Sequence, residues 1–373
     1  MSTQQQTTVD DLTAGLGKLH QSELVRGNRM ADVEERCLRL CHAYIGGSWC
    51  NAQTAADILV TRISGGFTNQ LYRVRLKKHV QRAANNPIYT TEPSEVAIKL
   101  YLAKHMANFA EGESERLNDM IILTMVSALG LGPPVYGIFA DGFVQAFRQH
   151  EQFRAKHQAR DNLKRDVLTL LAKINHLQVP IQKKANLILA DLRRKIQFGY
   201  DHCQVEKLAE ELELPTLKRF HVMKEYEELL LRIEALNAPV VFCHNDFRGS
   251  NLLVTKDDDT EQILAIDFEY SGYGTRGFDL ACLITEWGRK DLFDASTPLP
   301  TEATVEELTR LYIEECDKVV PGYSQQEGNS LTQHLQEVRL MFLANSMYFL
   351  AVMISQQESI IPSMPFDAEK QMV

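Results

Sequence analysis

Short runs of β-branched and aromatic residues come early in this chain, and helical periodicity takes over later. Apolar positions recurring at i, i+3 and i+4 predict a helix through Val33 to Tyr44. Three runs that follow, Ile58–Val60, Leu71–Leu76 and Val96–Leu100, are short, rich in strand-forming residues and bounded by turn or polar segments, so they predict strands. Between the last two, the polar stretch His79–Ser94, broken by Asn85-Asn86-Pro87, predicts a long exposed loop. Glu111–Gly130 returns to helical spacing and stops at Gly-Leu-Gly-Pro-Pro. Two further strands, Val135–Phe139 and Phe143–Phe147, are expected as a hairpin through Ala140-Asp141-Gly142. From about Arg148 the pattern is helical, except between Val240 and Asp267, and no internal repeat interrupts it. The expectation is an α+β chain: a poorly ordered tail over residues 1–29, a small β-rich lobe over 30–147, and a larger, mainly helical lobe over 148–373.

At 373 residues the chain exceeds the size at which one hydrophobic core stops growing, about 250–300 residues, which suits two lobes. Its net charge of −9, from 40 basic and 49 acidic residues, argues against a nucleic-acid partner and suits a cationic small molecule. The seven cysteines include no C-x-x-C pair, so reduced thiols in a cytoplasmic protein are expected rather than a disulfide or zinc framework. The opening MSTQQQTTVDDL lacks the apolar stretch of a secretion signal. The longest apolar stretch, Met341–Ile354, is 14 residues and contains Asn345 and two serines. That is short for a bilayer, so a buried helix and no membrane span are expected.

The strongest chemical signal is PVVFCHNDFRGSNLLV followed, after a polar loop, by ILAIDFEY. One apolar strand runs into His244-Asn245-Asp246, with Asn251 five residues on, and a second delivers Asp267, 21 positions after Asp246. Phosphoryl transfer needs a carboxylate to accept the hydroxyl proton and oxygen ligands to hold Mg²⁺ on the phosphates. Asp246 suits the base, and Asn251 and Asp267 suit the metal. Asp and Asn near strand ends are singly more often caps or turn residues, but the joint spacing favours catalysis. His244 reads as a support for the loop by hydrogen bonding. A second signal is Ile63-Ser64-Gly65-Gly66-Phe67-Thr68-Asn69 between two strands, where Gly65 and Gly66 let the backbone approach a phosphate, and Thr68 and Asn69 supply donors. Alone, a Gly-Gly between strands is more often a plain turn. It gains weight from Lys99, a lone strand lysine placed to pair with phosphates, for which Asp119 is the favoured acidic partner over Glu113 and Glu115.

These residues resemble the choline/ethanolamine kinase family. FCHNDFRGSNLLV, SGGFTN and above all AIDFEYSGYGTRGFDLACLITEW carry the likeness, which runs from about Tyr44 to Phe349 and includes LGLGPPVYGIF. The resemblance implies a protein-kinase-like two-lobed fold and the first step of phosphatidylcholine or phosphatidylethanolamine synthesis, with ATP and Mg²⁺. It implies choline first and ethanolamine second as substrates, and a homodimer. It assigns Ser64–Gln70 (Ser64, Gly65, Gly66, Phe67, Thr68, Asn69, Gln70), Lys99, Ala146 at the hinge, Arg248 and Asp267 to ATP, and Asn251 and Asp267 to the metal. Glu269, Tyr270, Glu286 and Trp287 fall near the amino-alcohol, and Arg276 and Asp279 brace the loop after Asp267.

Three departures from the family pattern stand out. Ser250 replaces the usual Gly before the metal Asn, which is expected to shift the loop slightly, and Cys282 replaces an Asn. Leu350 and Met353 stand where the C-terminal helix usually brings tryptophans to the choline cage. Tyr348, Phe349, Trp287 and Tyr270 remain as rings for a quaternary ammonium, although Tyr348 and Phe349 equally fit ordinary helix packing. Rival readings are a phosphotransferase for another small hydroxyl compound of the aminoglycoside or methylthioribose type, a protein kinase, and a non-catalytic kinase-like binding protein. The second lacks H-R-D, D-F-G and A-P-E in order; the third conflicts with the presence of Asp246, Asn251, Asp267 and Lys99; the first leaves F-E-Y, R-G-F-D and E-W unexplained.

Overall fold

Val96, Ile98 and Leu100 alternate with Ala97 and Lys99, and this two-residue period puts the first three side chains on one face of a strand. The computed structural model describes residues 32–63, 69–86, 88–101, 115–183, 186–257, 260–289 and 297–355. They form two units, one from the described residues of 32–101 with Pro134–Phe147, the other from 115–133 and 148–355.

The first unit holds α1 (Val33–Tyr44) and five antiparallel strands: β1 (Ile58–Ile63), β2 (Asn69–Leu76), β3 (Glu95–Tyr101), β4 (Val135–Phe139) and β5 (Gly142–Ala146). Their order is β1-β2-β3-β5-β4. Lys99 lies opposite Leu71 on one side and Phe143 on the other, so the central strand carries it. Val33, Cys37, Leu38 and Cys41 line one face of α1 and join Trp49, Val74, Ile98 and Val144 in a core. Burying each large apolar side chain there contributes about 1.5–3 kcal/mol. The β4 strand bulges between Val135 and Gly137. A Cβ on Gly137 would stand 2.1 Å from Cδ1 of Tyr44, so this close approach of the α1 ring requires glycine.

His79–Ser94 is the expected exposed loop: His79, Gln81, Arg82, Ala84, Asn85, Ile88, Thr90, Thr91 and Ser94 are exposed, and Val80 alone among its described residues is buried. A few of its groups also anchor it: the Glu92 carboxylate accepts from Ser48 N (3.0 Å) and Asn86 Nδ2 (2.8 Å). Trp49 Nε1 donates to Pro93 O at 2.8 Å, and Tyr89 Oη donates to Tyr44 O at 3.0 Å. Ile88 stands 65% exposed between these anchors.

The second unit contains α2 (Glu115–Ala128), β6 (His150–Gln152), α3 (Ala155–Gln158), α4 (Asp161–Asn175), α5 (Leu187–His202), α6 (Val205–Glu211), α7 (Pro215–Arg219) and α8 (Val222–Ala235). It continues through β7 (Val240–Cys243), β8 (Leu252–Asp257), β9 (Thr260–Ala265), β10 (Gly272–Thr275), α9 (Phe278–Thr285), α10 (Glu302–Val319) and α11 (Leu331–Ser355). β7 pairs with β10, and β6-β8-β9 form a small antiparallel sheet. Residues 115–133, expected in the first lobe, group with this unit because Ile122, Val126 and Leu131 enter its core and Ala265 N donates to Leu131 O at 2.8 Å.

The apolar stretch Met341–Ile354 is the second half of α11, a 25-residue helix. Among the described residues, α11 alone is long and apolar enough to cross a membrane, with 28% of its most apolar window buried. This corrects the expectation of a short, buried helix. The sequence concealed its true length because His334, Glu337 and Asn345 interrupt the apolar pattern, and those residues serve the interior. Arg276, 2% exposed, spends all five N–H donors on this side of the unit. Nε and Nη2 clasp Glu337 at 2.7 Å each, Nη1 donates to Tyr323 Oη (3.0 Å) and Asn329 Oδ1 (2.5 Å), and Nη2 also donates to Gly328 O (2.8 Å).

Lysine at position 276 supplies three donors in place of a planar fork, leaving Glu337 partly unpaired in the interior. Arg276→Lys is therefore expected to cost about 3 kcal/mol of unfolding free energy in a denaturant titration. His334, 1% exposed, accepts from Tyr323 Oη through Nε2 and donates through Nδ1 to Ser330 O. Burial, aided by the Arg276 charge, lowers its pKa to about 4. Because the unfolded histidine binds its proton near pH 6.5, its contribution is present above that pH and lost as pH falls towards 4. Wild-type stability should drop by on the order of 2 kcal/mol across that window, and His334→Gln should flatten that part of the acid unfolding curve.

Candidate active site

The loop between β7 and β8 is held at its start by one carboxylate. Asp279, in the first turn of α9, accepts from His244 N and Asn245 N at 2.7 Å each and from Asn175 Nδ2 at 3.0 Å. Burial raises its pKa, while His244 and these donors oppose the rise. His244 donates through Nε2 to Ile266 O (2.9 Å) and accepts Asp246 N through Nδ1 (3.3 Å), which fixes its tautomer. Burial lowers its pKa, and both ring nitrogens are taken up in holding the loop. Asn245 adopts a left-handed backbone (φ +63°) and donates from Nδ2 to Tyr270 O at 2.9 Å, joining the loop to the turn after Asp267.

Asp246 and Asn251 come together: Asn251 Nδ2 donates to Asp246 Oδ2 at 2.6 Å and to its backbone oxygen at 3.0 Å. Loss of water raises the Asp246 pKa to about 6; Arg248 and Asn251 pull it down, and Asp267 and Glu269 push it up. That value suits a general base. The Asn251 amide oxygen and the Asp267 carboxylate are hard donors of the kind Mg²⁺ takes in ones or twos beside phosphates. No set of three or more His, Cys, Asp or Glu among the described residues is arranged to hold a metal. Asp267 shares the left-handed conformation (φ +67°), which turns the chain directly into the Phe268–Tyr270 turn. Ser250 has no positive φ, so a side chain there costs the backbone nothing. The residue that must be glycine is Gly249, where a Cβ would meet Phe153 O at 2.2 Å.

Tyr270 lies in an acidic neighbourhood. Burial raises its pKa well above the ordinary tyrosine range, and Glu269, Asp246, Asp267 and Asp191 add to the rise. Tyr348 Oη donates to Asp191 Oδ2 at 2.7 Å, and Tyr270 and Asp246 contribute to the raised pKa that burial gives it. Asp191, 3% exposed on α5, was missed in the sequence, where nothing separates it from other helix residues. Trp287 packs at 6.2 Å between ring centroids against Phe153. Cys282 Sγ donates to Asn345 Oδ1 (3.3 Å), whose Nδ2 donates to Thr285 Oγ1 (3.1 Å), so this amide ties α11 to α9.

The remaining expected residues divide between the units. Lys99 stands on β3 with its Nζ 5.9 Å from the Tyr101 ring centroid, and Asn69 and Gln70 are buried at the start of β2. Ala146 closes β5, and the division between units falls one residue later, after Phe147. Asp119 is buried on α2 in the second unit. Ser64, Gly65, Gly66, Phe67 and Thr68, like Glu113, lie outside the described residues.

Comparison with known proteins bears on the fold and on the family. The fold matches a choline kinase from Cryptosporidium parvum at 18% identity and TM-score 0.61, covering 86% of this chain and 89% of that one. It also matches an ethanolamine kinase of Plasmodium vivax at 15% identity and TM-score 0.62, covering 94% and 89%. The expected α+β, protein-kinase-like fold is thus the one present. A choline/ethanolamine kinase of Rattus norvegicus is 27% identical over 260 residues, which span 69% of this chain and 61% of that protein's length. The family profile described as choline/ethanolamine kinase matches residues 60–371, so it takes in both the β7–β8 loop and the strand that delivers Asp267, and the chain belongs to the choline/ethanolamine kinase family.

Proposed function

We propose that this protein transfers the γ-phosphoryl group of ATP, with Mg²⁺, to the hydroxyl of a small amino-alcohol, choline first and ethanolamine second. The observation that carries the reading is the Asp246 carboxylate, held by Asn251 and raised to about 6, beside the acidic surroundings of Tyr270. Asp246 takes the hydroxyl proton, the substrate oxygen bonds to the γ-phosphorus, and the bond from that phosphorus to the bridging oxygen of ADP breaks. The products are the phosphoester, ADP and the proton now on Asp246. Asn251 and Asp267 would hold Mg²⁺, which would neutralise phosphate charge when bound. Lys99, Asn69 and Gln70 belong to the ATP side of the reading, with Ala146 at the hinge.

An ammonium group is attracted by carboxylates and aromatic faces. Tyr270 and Tyr348, with Asp191 and Glu269 near them, supply both kinds of group. Such an activity fits the first step of phosphatidylcholine or phosphatidylethanolamine synthesis, in a cytoplasm that keeps the seven free thiols reduced. A homodimer is the assembly this reading carries. ADP release from purified protein with ATP, Mg²⁺ and either choline or ethanolamine tests it; no release with either amine rejects it.

Asp246→Asn and Asp267→Ala are each expected to lower kcat at least about 10²-fold with an unchanged circular-dichroism spectrum. The rings that usually close the cage are replaced by Leu350 and Met353, and a well-placed ring contributes about 0.5–2 kcal/mol to a cation. Choline should therefore show a high KM. Leu350→Trp with Met353→Trp is expected to lower the KM for choline more than that for ethanolamine, as read by steady-state kinetics with both amines.

A further inference from the structure

Asp191 is a buried carboxylate that the phosphoryl-transfer steps leave unused. It stands 3% exposed on α5, and burying a charge is costly unless the charge is paired and hydrogen-bonded. Arg194 Nη2 donates to its Oδ1 at 2.7 Å, Lys195 Nζ lies 3.5 Å from its Oδ2, and Tyr348 Oη donates to Oδ2 at 2.7 Å. Two cations one turn along the same helix already match its charge, so the carboxylate needs no substrate ammonium to compensate it. The group it leaves available is the Tyr348 phenol.

Tyr348 reaches Asp191 from α11. Ala344 and Ala351, both buried, lie four residues before and three after it on one stripe of that helix. Ile354, further along the stripe, comes so near α5 that a Cβ on Gly199 would stand 3.0 Å from its Cγ1, so the stripe packs on α5. A tyrosine hydroxyl has one O–H to give and an oxygen that accepts. Here the O–H goes to Asp191, and no described group donates to the oxygen. Lys195 Nζ stays 6.0 Å from the ring centroid, at the outer limit of a cation–π contact. Burial, Asp191, Tyr270 and Asp246 all raise the Tyr348 pKa, which keeps it a neutral phenol in an acidic neighbourhood. A hydroxyl that donates to a carboxylate is itself a stronger acceptor, and in the field of Asp191 and Asp246 the partner that fits is a cationic N–H.

Resting on the amino-alcohol reading above, we propose that Asp191, acting through Tyr348, is the positioning residue by which the site distinguishes ammonium heads that carry N–H from the quaternary head that carries none. Tyr348 Oη accepts the N–H of ethanolamine or of its N-methylated forms, while the ring serves choline, whose nitrogen has no N–H. Asp191 polarises the hydroxyl and fixes its direction without touching the amine. Leu350 and Met353 bear on how well the quaternary head is walled in; Asp191 and Tyr348 bear on how well an N–H is met.

The test is a double-mutant cycle on the full-length protein, read by calorimetric dissociation constants for ethanolamine, N,N-dimethylethanolamine and choline and by ADP release with each. Tyr348→Phe keeps the ring and removes the acceptor. It should weaken ethanolamine and N,N-dimethylethanolamine about tenfold, a difference of about 1.4 kcal/mol, and choline less than about threefold. The dimethyl form belongs with ethanolamine because its protonated nitrogen keeps one N–H. Asp191→Asn, which removes the charge but leaves an oxygen for the Tyr348 hydroxyl, should fall between wild type and Tyr348→Phe with the same order among the amines. The double variant should be no worse than Tyr348→Phe, and the ATP dissociation constant should stay within about twofold throughout. If Asp191→Asn fails to fold, Tyr348→Phe carries the test. Equal weakening of all three amines, or losses that add in the double variant, reduces the pair to a clasp between α5 and α11 and overturns the proposal. An unchanged ethanolamine constant in Tyr348→Phe also overturns it, as does a wild-type protein that binds none of the amines. A protein that shows the expected binding pattern but releases no ADP defeats the phosphotransferase reading and leaves this one standing. One that turns over both choline and ethanolamine with the binding ratio unmoved by Tyr348→Phe does the reverse.

Discussion

The second unit depends on where the Asp279 carboxylate sits. It is buried, its charge is favoured by its place in the first turn of α9, and it accepts two consecutive backbone N–H groups of the β7–β8 loop. A hydrogen bond to an ionised acceptor contributes more than a neutral one, and two together fix the orientation as well as the position of the peptide they hold. Once His244 and Asn245 are pinned, Asp246 has little freedom. The His244 ring is then locked between the Asp246 amide and Ile266 O, which ties the loop to the chain entering Asp267. One helix residue thereby sets the geometry of a loop more than thirty positions earlier in the sequence.

That arrangement stores strain at two points. Asn245 and Asp267 both take left-handed backbone conformations that are uncommon for residues with a side chain, though asparagine and aspartate tolerate them best. Each position turns the chain sharply on leaving an apolar strand, and the Asn245 amide recovers part of the cost by donating to Tyr270 O. The Arg276 clasp on Glu337 does comparable work at the other end of β10, where it joins the start of α9 to α11. A charged pair so deep is weak evidence of net stability but strong evidence that removing one partner is costly.

Much of this was legible in the sequence, for physical reasons that differ by residue. The strands of the first sheet announced themselves because an amphipathic strand must alternate, and β3 does. The spacing that singled out Asp246 and Asn251 also brings them into hydrogen-bond contact on the β7–β8 loop. His79–Ser94 is the exposed loop its polar composition announced, but the bonds that tie it to Trp49, Ser48 and Tyr44 were not readable, because composition does not reveal whether a polar group bonds to water or to protein. Length misled at α11 for the converse reason: polar residues that interrupt an apolar run look like its end, yet His334 and Glu337 face the interior. Ser250 was expected to disturb the loop through its side chain, whereas the steric demand falls on Gly249, set by a carbonyl of Phe153 far away in sequence.

Pairwise identity of residues also says little about how charge is distributed within a site. In a chain of net charge −9, the charge as a whole was expected to suit a cationic small molecule, and Glu269 and Glu286 were expected near the amino-alcohol. The surroundings differ by residue. Tyr270 and Tyr348 lie in the field of Asp191, Asp246 and, for Tyr270, Glu269 and Asp267. Glu286, seven residues after Asp279, has its pKa raised by burial and by Asp246, with Arg248, Arg154 and Arg289 opposing the rise. Asp246 belongs to both fields, because Arg248 lowers its pKa while Asp267 and Glu269 raise it. A carboxylate balanced between them can take a proton as the alcohol loses one and still release it once the phosphoester has left.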